Sequence, residues 1–356
     1  RYGGNAATPE LYRSLVEQIA VSIRQGGYEL VHANTLQAYW AVEAAREAGI
    51  PSVWSIHESE PWQTYYDGLP PKIAASALAC MTYPYRVVFT AESTARVWDD
   101  LASGNNFGLI HFALDAPRFQ AELAEIDRNA ARAQLGLKEG EVCILLLGTI
   151  CKRKGQHDLP KAIARLQNSV ADRVRCIIVG AEGEPEYNRR LGEIIARMPV
   201  DRQDRIQVVH GAKDTAKYWV AADLFCCTSR IESYPRVVLE AMAAGLPLIS
   251  TPVYGIVEQV RDSVNALLYQ PGDIPALTKH LTTLVTNKPR RLAFGEAAPW
   301  VLRGLPDPQR MDRLYLETFQ AAAESSVPDR FEHSKGLGRR LGRGVRRIPG
   351  ASAVAR

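Results

Sequence analysis

The stretch 228-TSRIESYPRVVLEAMAAGLP-247 decides how this chain is read. The apolar run Leu224 to Cys227 ahead of it, bounded by Thr228 and Ser229, has the pattern of a strand end. Pro235 suits the first position of a helix, because its fixed φ is helical and its missing N–H would have no partner there. Gly245, followed by Pro247, is a stop signal. Between them Val237, Val238, Leu239, Ala241, Met242, Ala243 and Ala244 leave almost no polar face. Such a helix is expected to be buried on most sides.

A carboxylate at Glu240 is costly in that helix unless it is paired or hydrogen-bonded. Arg236, four residues earlier, is one partner within reach. Ligand hydroxyls are the other. Glu232 sits in the loop just before the helix, and the free N–H groups near Tyr234 and Arg236 make that loop an anion site. Two hydroxyl acceptors on either side of a phosphate cradle suit a nucleotide sugar.

Outward from this stretch, short apolar runs alternate with helical ones. Residues 30-LVHANT-35, 52-SVWSIH-57, 87-VVFTAE-92 and 108-GLIHFA-113 read as buried strands, with helices near Leu36 to Ala48, Pro71 to Met81 and Ser93 to Leu101. The second half repeats the alternation with strands 142-VCILLLG-148, 175-RCIIVG-180, 206-IQVVHG-211, 223-DLFCCTS-229 and 247-PLISTP-252. Alternation of this kind implies parallel sheets. Helices are expected at Pro185 to Arg197, Lys213 to Ala222, Ile274 to Thr286 and Gln309 to Ala323. The chain opens on 1-RYGGNAATPE-10 and enters a helix near Leu11, so the strand and glycine turn that usually open such a domain are expected to be missing. Gly3 and Gly4 are a weak phosphate-loop signal, and a plain surface loop explains them as well.

Ligands of open α/β sheets sit outside the C-terminal ends of strands. His57 and Glu58 stand at one such end, where a satisfied structural histidine is the alternative. Trp54, Trp62, Tyr65 and Tyr66 could stack on a sugar or simply pack the core. After strand 142–148 comes 148-GTICKRKGQHDLPKAIARL-166, which sets Lys152, Arg153 and Lys154 beside Gly148 and Gly155. Cations beside a glycine turn suit a diphosphate, and a solvated basic turn is the other reading. Gly180 and Gly211 fall at strand ends where backbone can approach a base or ribose.

The pattern S-x-x-E-S-x-P-x-x-x-x-E-A-x-A-x-G-x-P resembles the signature of retaining family 4 glycosyltransferases (glycosyl transferases group 1) of the GT-B fold. The combined spacing is specific, whereas two glutamates seven residues apart would be weak alone. The resemblance runs over about residues 30 to 325 and is strongest from Gly148 to Glu258. It implies an α/β protein of two Rossmann-like doubly wound domains facing across a cleft. It implies that Glu240 holds the nucleotide ribose, that Glu232 lies against the donor sugar, and that loop N–H groups at Ser233 and Tyr234, with the helix start at Pro235, hold the phosphates. In the family a glycine-arginine pair is followed shortly by lysine-glycine. Lys154 matches the lysine, Thr149 stands in the arginine's place, and Arg153 or Lys152 is the substitute. Of the two glycines that precede a later helix in the family, Tyr254 replaces the first and Gly255 matches the second. Glu258 is expected to support that local helix. A histidine near the donor sugar or acceptor is matched by His57.

Composition agrees with two globular domains: 356 residues, 46% apolar and 23% charged, with no apolar run long enough to span a membrane. The six cysteines show no metal spacing and lie mostly in apolar runs, which suits a reducing, cytoplasmic setting. No cofactor or metal is expected beyond the nucleoside diphosphate sugar itself. The net charge of +4 is uneven. Residues 327–356 carry eight Lys or Arg against two Asp or Glu, and the remainder is slightly acidic. That excludes a basic nucleic-acid-binding body. In the tail, Leu337, Leu341, Val345 and Ile348 interleave with arginines as in a helix lying on an anionic inner-membrane face, although its many glycines favour a solvated tail.

The expected organisation is a first, acceptor-side domain over 1–125, a nucleotide-sugar domain over 126–305, a helix over 306–326 packing back on the first domain, and the tail. The expected activity is transfer of a sugar, with retention, from a nucleoside diphosphate sugar to a glycan or lipid-linked acceptor hydroxyl. Glu232, His57 and Lys154 are the expected catalytic set. Glu240, Gly148, Thr149, Arg153, Ser233, Tyr234, Pro235 and Gly211 are the expected donor contacts. A nucleotide-sugar epimerase and a non-catalytic nucleotide-sugar-binding module are the rival readings.

Overall fold

The alternating pattern builds two separate parallel sheets in the computed structural model, which describes residues 8–325. Gly3, Gly4 and the basic tail lie outside the described residues. The chain divides into two units. The first holds the residues up to Phe89, Ala95–Ile110 and those from Leu314 on; the second holds Thr90–Thr94 and His111–Arg313.

The first unit contains β1 (Val31–Asn34), β2 (Ser52–Ile56), β3 (Arg86–Phe89) and β4 (Phe107–Leu109), hydrogen-bonded in that order and all parallel. The helix Pro9–Gln25 precedes β1. Thr8 caps it by accepting the Leu11 N–H at 3.2 Å, and Tyr12, Val16, Ala20 and Ile23 give it one buried stripe. Gly49, at φ +74°, ends the Tyr39–Ala48 helix. Trp54, Phe89 and Trp98 are fully buried in this unit's core. From Leu314 on, the Pro308–Ala323 helix belongs here. The Tyr315 hydroxyl lies 3.3 Å from Ser55 Oγ, and the Phe319 ring packs against His32.

The second unit contains β5 (Val142–Leu147), β6 (Val174–Gly180), β7 (Ile206–His210), β8 (Leu224–Cys227), β9 (Leu248–Ser250) and β10 (Ala266–Leu268). Their spatial order is β7-β6-β5-β8-β9-β10, all parallel. Read within the unit this is the doubly wound order 3-2-1-4-5-6, whose direction of winding reverses between β5 and β8. The inner strands are continuous apolar runs because helices cover both faces.

Several sequence expectations shift. The strand expected at 108–113 is only Phe107–Leu109, and β10 carried no clear signal. A helix at Lys288–Arg303 was masked by its interior Pro299. Asn287 starts it by accepting the Arg290 N–H at 2.9 Å, with Pro289 in its first turn. It packs so closely on the end of the Arg236–Ala243 helix that a Cβ on Gly295 would lie 2.6 Å from the Gly245 carbonyl oxygen. The unit boundary falls at Ile110 rather than at 125. Phe112, Leu114, Phe119, Leu123 and Ile126 bury against the second unit's core, and Gln120 donates to the Ala243 carbonyl at 2.9 Å. The second unit likewise runs on to Arg313 rather than 305.

All six cysteines are buried and none is in a disulfide. Among the described residues no helix is long and apolar enough to cross a membrane.

Candidate functional site

Where winding reverses, neighbouring strands send their loops to opposite sides and leave a crevice at their C-terminal ends. In this protein the loops concerned follow β5 and β8. They are tied together residue by residue. The Arg230 N–H donates to the Arg153 carbonyl at 2.7 Å, the Thr228 hydroxyl to the Lys154 carbonyl at 2.9 Å, and the Arg153 guanidinium to the Ile231 carbonyl at 3.1 Å. Gly155, at φ +66°, makes this contact possible: a Cβ there would lie 2.2 Å from the Thr228 carbonyl oxygen. A further tie is the Arg230–Asp158 ion pair at 2.9 Å, whose other carboxylate oxygen accepts the Gly272 N–H at 3.1 Å. Burial raises the Asp158 pKa, and the Arg230 charge opposes it.

Glu232 is the centre of the arrangement. It is 6% exposed, and its Oε1 accepts the Ser229 hydroxyl at 2.9 Å, pairs with the Lys154 ammonium, and lies 3.3 Å from the Arg153 guanidinium. Lys154 in turn lies beside Gly148, at φ +152°. So the structure brings Glu232, Lys154, Arg153 and Gly148 together. Thr149 is exposed, with its methyl turned towards Gly183, and Lys152 is exposed as well. Gln156, which sequence reasoning passed over, is fully buried. Its amide donates to the Thr149 carbonyl at 2.8 Å and holds the turn. A glutamine after a basic turn carries no sequence signal for such a role.

Ser233 turns its hydroxyl away, to Thr90 at 2.5 Å and Thr94 at 3.2 Å. Its carbonyl lies against Gly255, where a Cβ would stand 1.8 Å away. This explains the matched glycine, while Tyr254 holds the left-handed conformation (φ +45°) that glycine adopts at no steric cost. Tyr234 is buried beside the His111 ring, 4.8 Å centroid to centroid. Pro235 is the cap of the following helix rather than its first residue. Its carbonyl accepts both the Val238 N–H and the Gln259 amide at 3.1 Å. Glu258 does not serve its own helix. It accepts the Glu92 N–H at 3.1 Å, the Ser93 N–H at 2.9 Å and His111 Nε2 at 3.2 Å, so it caps the Glu92–Trp98 helix. Burial alone would raise its pKa, but these hydrogen bonds prevail and pull it to about 2.

The Arg236–Ala243 helix buries Val238, Leu239, Ala241, Met242 and Ala243. Glu240 is half-buried in it, and its carboxylate makes no hydrogen bond or ion pair with any described residue. The pair with Arg236 that the spacing allowed is therefore not formed. Burial raises the Glu240 pKa and the field of Arg236 only opposes it. Gly211, at φ +66°, is exposed at the end of the edge strand β7. Among the described residues no three His, Cys, Asp or Glu side chains gather as a metal site would.

His57 belongs to the first unit, where its Nε2 lies 2.5 Å from Asn34 Oδ1. Burial, then the nearby His32, lowers its pKa, so the ring is neutral at pH 7. Glu58 is structural: it accepts the Leu36 and His57 N–H groups, both at 3.0 Å. Trp54 and Tyr66 are core residues whose polar tips bond to the Thr35 and Leu36 carbonyls, while Tyr65 packs on Tyr66 and Trp98, and Trp62 on the same core.

Residues 127–300, which hold both site loops and both glutamates, match the family model described as glycosyl transferases group 1. Those residues belong to the glycosyl transferases group 1 family. Around this group 1 region the likeness extends further. D-inositol 3-phosphate glycosyltransferase 1 of Catenulispora acidiphila is 26% identical over 315 residues, 84% of this chain and 73% of that protein. The D-inositol 3-phosphate glycosyltransferase of an Arthrobacter species is 26% identical over 336 residues, 90% of this chain and 77% of that protein. Among solved structures, Anabaena HepE in complex with UDP-glucose superposes with a TM-score of 0.74 at 21% identity, covering 86% of this chain and 82% of that one. Sucrose-phosphate synthase of Thermosynechococcus elongatus gives 0.73 at 21% identity, covering 88% and 79%. The fold of this glycosyltransferase is GT-B.

Proposed function

We propose that this chain is a retaining glycosyltransferase that moves a sugar from a nucleoside diphosphate sugar to an acceptor hydroxyl in glycan or polysaccharide biosynthesis. The observation that carries the reading is Glu240. It is a carboxylate held in an apolar helix without a hydrogen-bond or ion-pair partner among the described residues, and it follows a loop that gathers Lys154 and Arg153. A ribose supplies the hydroxyls such a group needs. In this reading the diphosphate is met by Lys154, Arg153 and the N–H groups of Ser233, Tyr234 and the helix after Pro235. Glu232 orients the donor sugar between those cations, with Gly148 allowing close approach. The glycosidic C1–O bond to the diphosphate breaks, the acceptor oxygen bonds to C1 on the same face, and the acceptor proton passes to the departing phosphate. Fixed positive charge where the leaving group gains negative charge is the main source of rate. Uridine diphosphate sugars are the first donors to test, because HepE was solved with UDP-glucose. The names of the curated relatives suggest a phosphorylated cyclitol as the first acceptor.

Titration calorimetry with free UDP tests the assignment. Glu240→Gln weakens UDP binding, whereas Glu232→Gln does not weaken it and cuts donor turnover. Unchanged UDP affinity in a folded Glu240→Gln protein would falsify the ribose role. The anomeric configuration of the product, read by NMR, tests retention, and an inverted product overturns it.

A further inference from the structure

The helix Lys288–Arg303 turns one face to solvent that the transfer reaction does not use. Lys288, Leu292, Glu296, Trp300 and Arg303 are all exposed and fall within about 120° of its circumference at 3.6 residues per turn. Trp300 is 65% exposed and Leu292 53%. By contrast Trp54, Trp98 and Trp219 are fully buried. Beside Trp300, the exposed Arg261 and Arg303 line a shallow pocket of about 320 Å³ together with Val301 and Gly304. None of Lys288, Arg261 and Arg303 forms an ion pair with a described residue, and Glu296 is the one acid on that helix face.

We propose that this face is a peripheral membrane contact that takes an anionic lipid surface. An exposed indole is stable at the headgroup level, where its ring is in apolar surroundings and its N–H is wet. Cations flanking it match the charge of anionic lipids. A helix with apolar tips and a cationic rim lies in the plane of such a surface. A small anion in the Arg261–Arg303 pocket would account for the arginines alone. It leaves Leu292 unexplained, about 12 Å from Trp300 along the helix at 1.5 Å per residue. The contact is separate from the basic tail.

The test uses the full chain with vesicles of phosphatidylcholine, alone or mixed with phosphatidylglycerol, carrying brominated acyl chains. Bromine quenches only a tryptophan that reaches the acyl boundary. Wild-type fluorescence is expected to fall with the anionic vesicles and not with the neutral ones. Trp300→Phe should lose most of that quenching at an unchanged melting temperature. Arg261→Glu with Arg303→Glu should weaken partitioning roughly tenfold or more. Vesicle binding with equal quenching in Trp300→Phe overturns the proposal, because another element then makes the contact. Absence of binding, or equal quenching by neutral vesicles, overturns it too. Protection of Trp300 from acrylamide by inorganic phosphate, without vesicle quenching, assigns the pocket to a small anion instead.

Discussion

The two parallel sheets of this protein differ in one respect that decides where polar groups are left available. In the first unit the described strands follow one another in the order β1-β2-β3-β4, without reversal. There several groups at the strand ends bond to one another. Glu58 accepts two N–H groups, His57 meets Asn34, and Trp54 and Tyr66 close on neighbouring carbonyls. In the second unit the order reverses between β5 and β8, and the loops after those strands meet around Glu232. A few residues further, the Glu240 carboxylate has no hydrogen-bond or ion-pair partner among the described residues. The same layered architecture thus ties the named strand-end groups to one another in the first sheet and leaves a carboxylate without a described partner beside the second.

The largest test of this contrast is Glu232→Gln. It leaves Lys154 and Arg153 facing a neutral amide, and loss of one member of a buried ion pair costs about 3 kcal/mol or more. Denaturant unfolding measures it, and adding Lys154→Met should recover at least about 1 kcal/mol, since the two residues are coupled. Full additivity of the two changes would show that the pair is not a unit.

Next come two glycines with the same backbone hand. Gly49 and Gly155 both have φ near +70°, but only at Gly155 does a Cβ meet backbone. Gly49→Ala should cost about 1 kcal/mol of strain alone. Gly155→Ala should cost about 2–4 kcal/mol, because the β5 and β8 loops must also part. Equal costs would mean that the two loops are not locked together.

A smaller effect is expected at Glu258, whose pKa stands near 2 against an ordinary 4.5. Between those values the unfolded chain binds the proton and the folded one does not, so stability is gained above pH 4.5 and lost as pH falls towards 2. With allowance for solvent screening, Glu258→Gln should lose about 1–2 kcal/mol at pH 7. Its deficit against the wild type should close across that acid window. A deficit independent of pH would remove the charge from the explanation.

The smallest stability effects compare one glutamate from each unit. Glu58→Gln should lose about 1 kcal/mol, since a charged acceptor of two N–H groups becomes neutral, and should leave UDP affinity alone. Glu240→Gln should change stability by less than about 0.5 kcal/mol, because burial already disfavours its charge, and should weaken UDP binding. Melting curves with calorimetry on both variants check the crossing. A loss of stability with intact affinity at Glu240 would make the two units alike.

The sequence by itself determined the alternation of strands and helices, the buried character of residues 236–243, and the spacing of Glu232, Glu240 and Lys154. Each follows from local patterning: apolar period, helix stops and fixed intervals along one chain. The helix at 288–303 was hidden because an interior proline is a local breaker, and only packing on the end of the Arg236–Ala243 helix overrides it. Tertiary structure alone decided the partners. Arg236 had the right spacing for Glu240 yet does not pair with it, while Lys154 reaches Glu232 from 78 residues away. Glu258, which looked local, caps a helix that begins at Glu92. Spacing fixes which groups share a helix face, but a carboxylate takes the donors that strand order brings to it, and strand order is a property of the folded sheet.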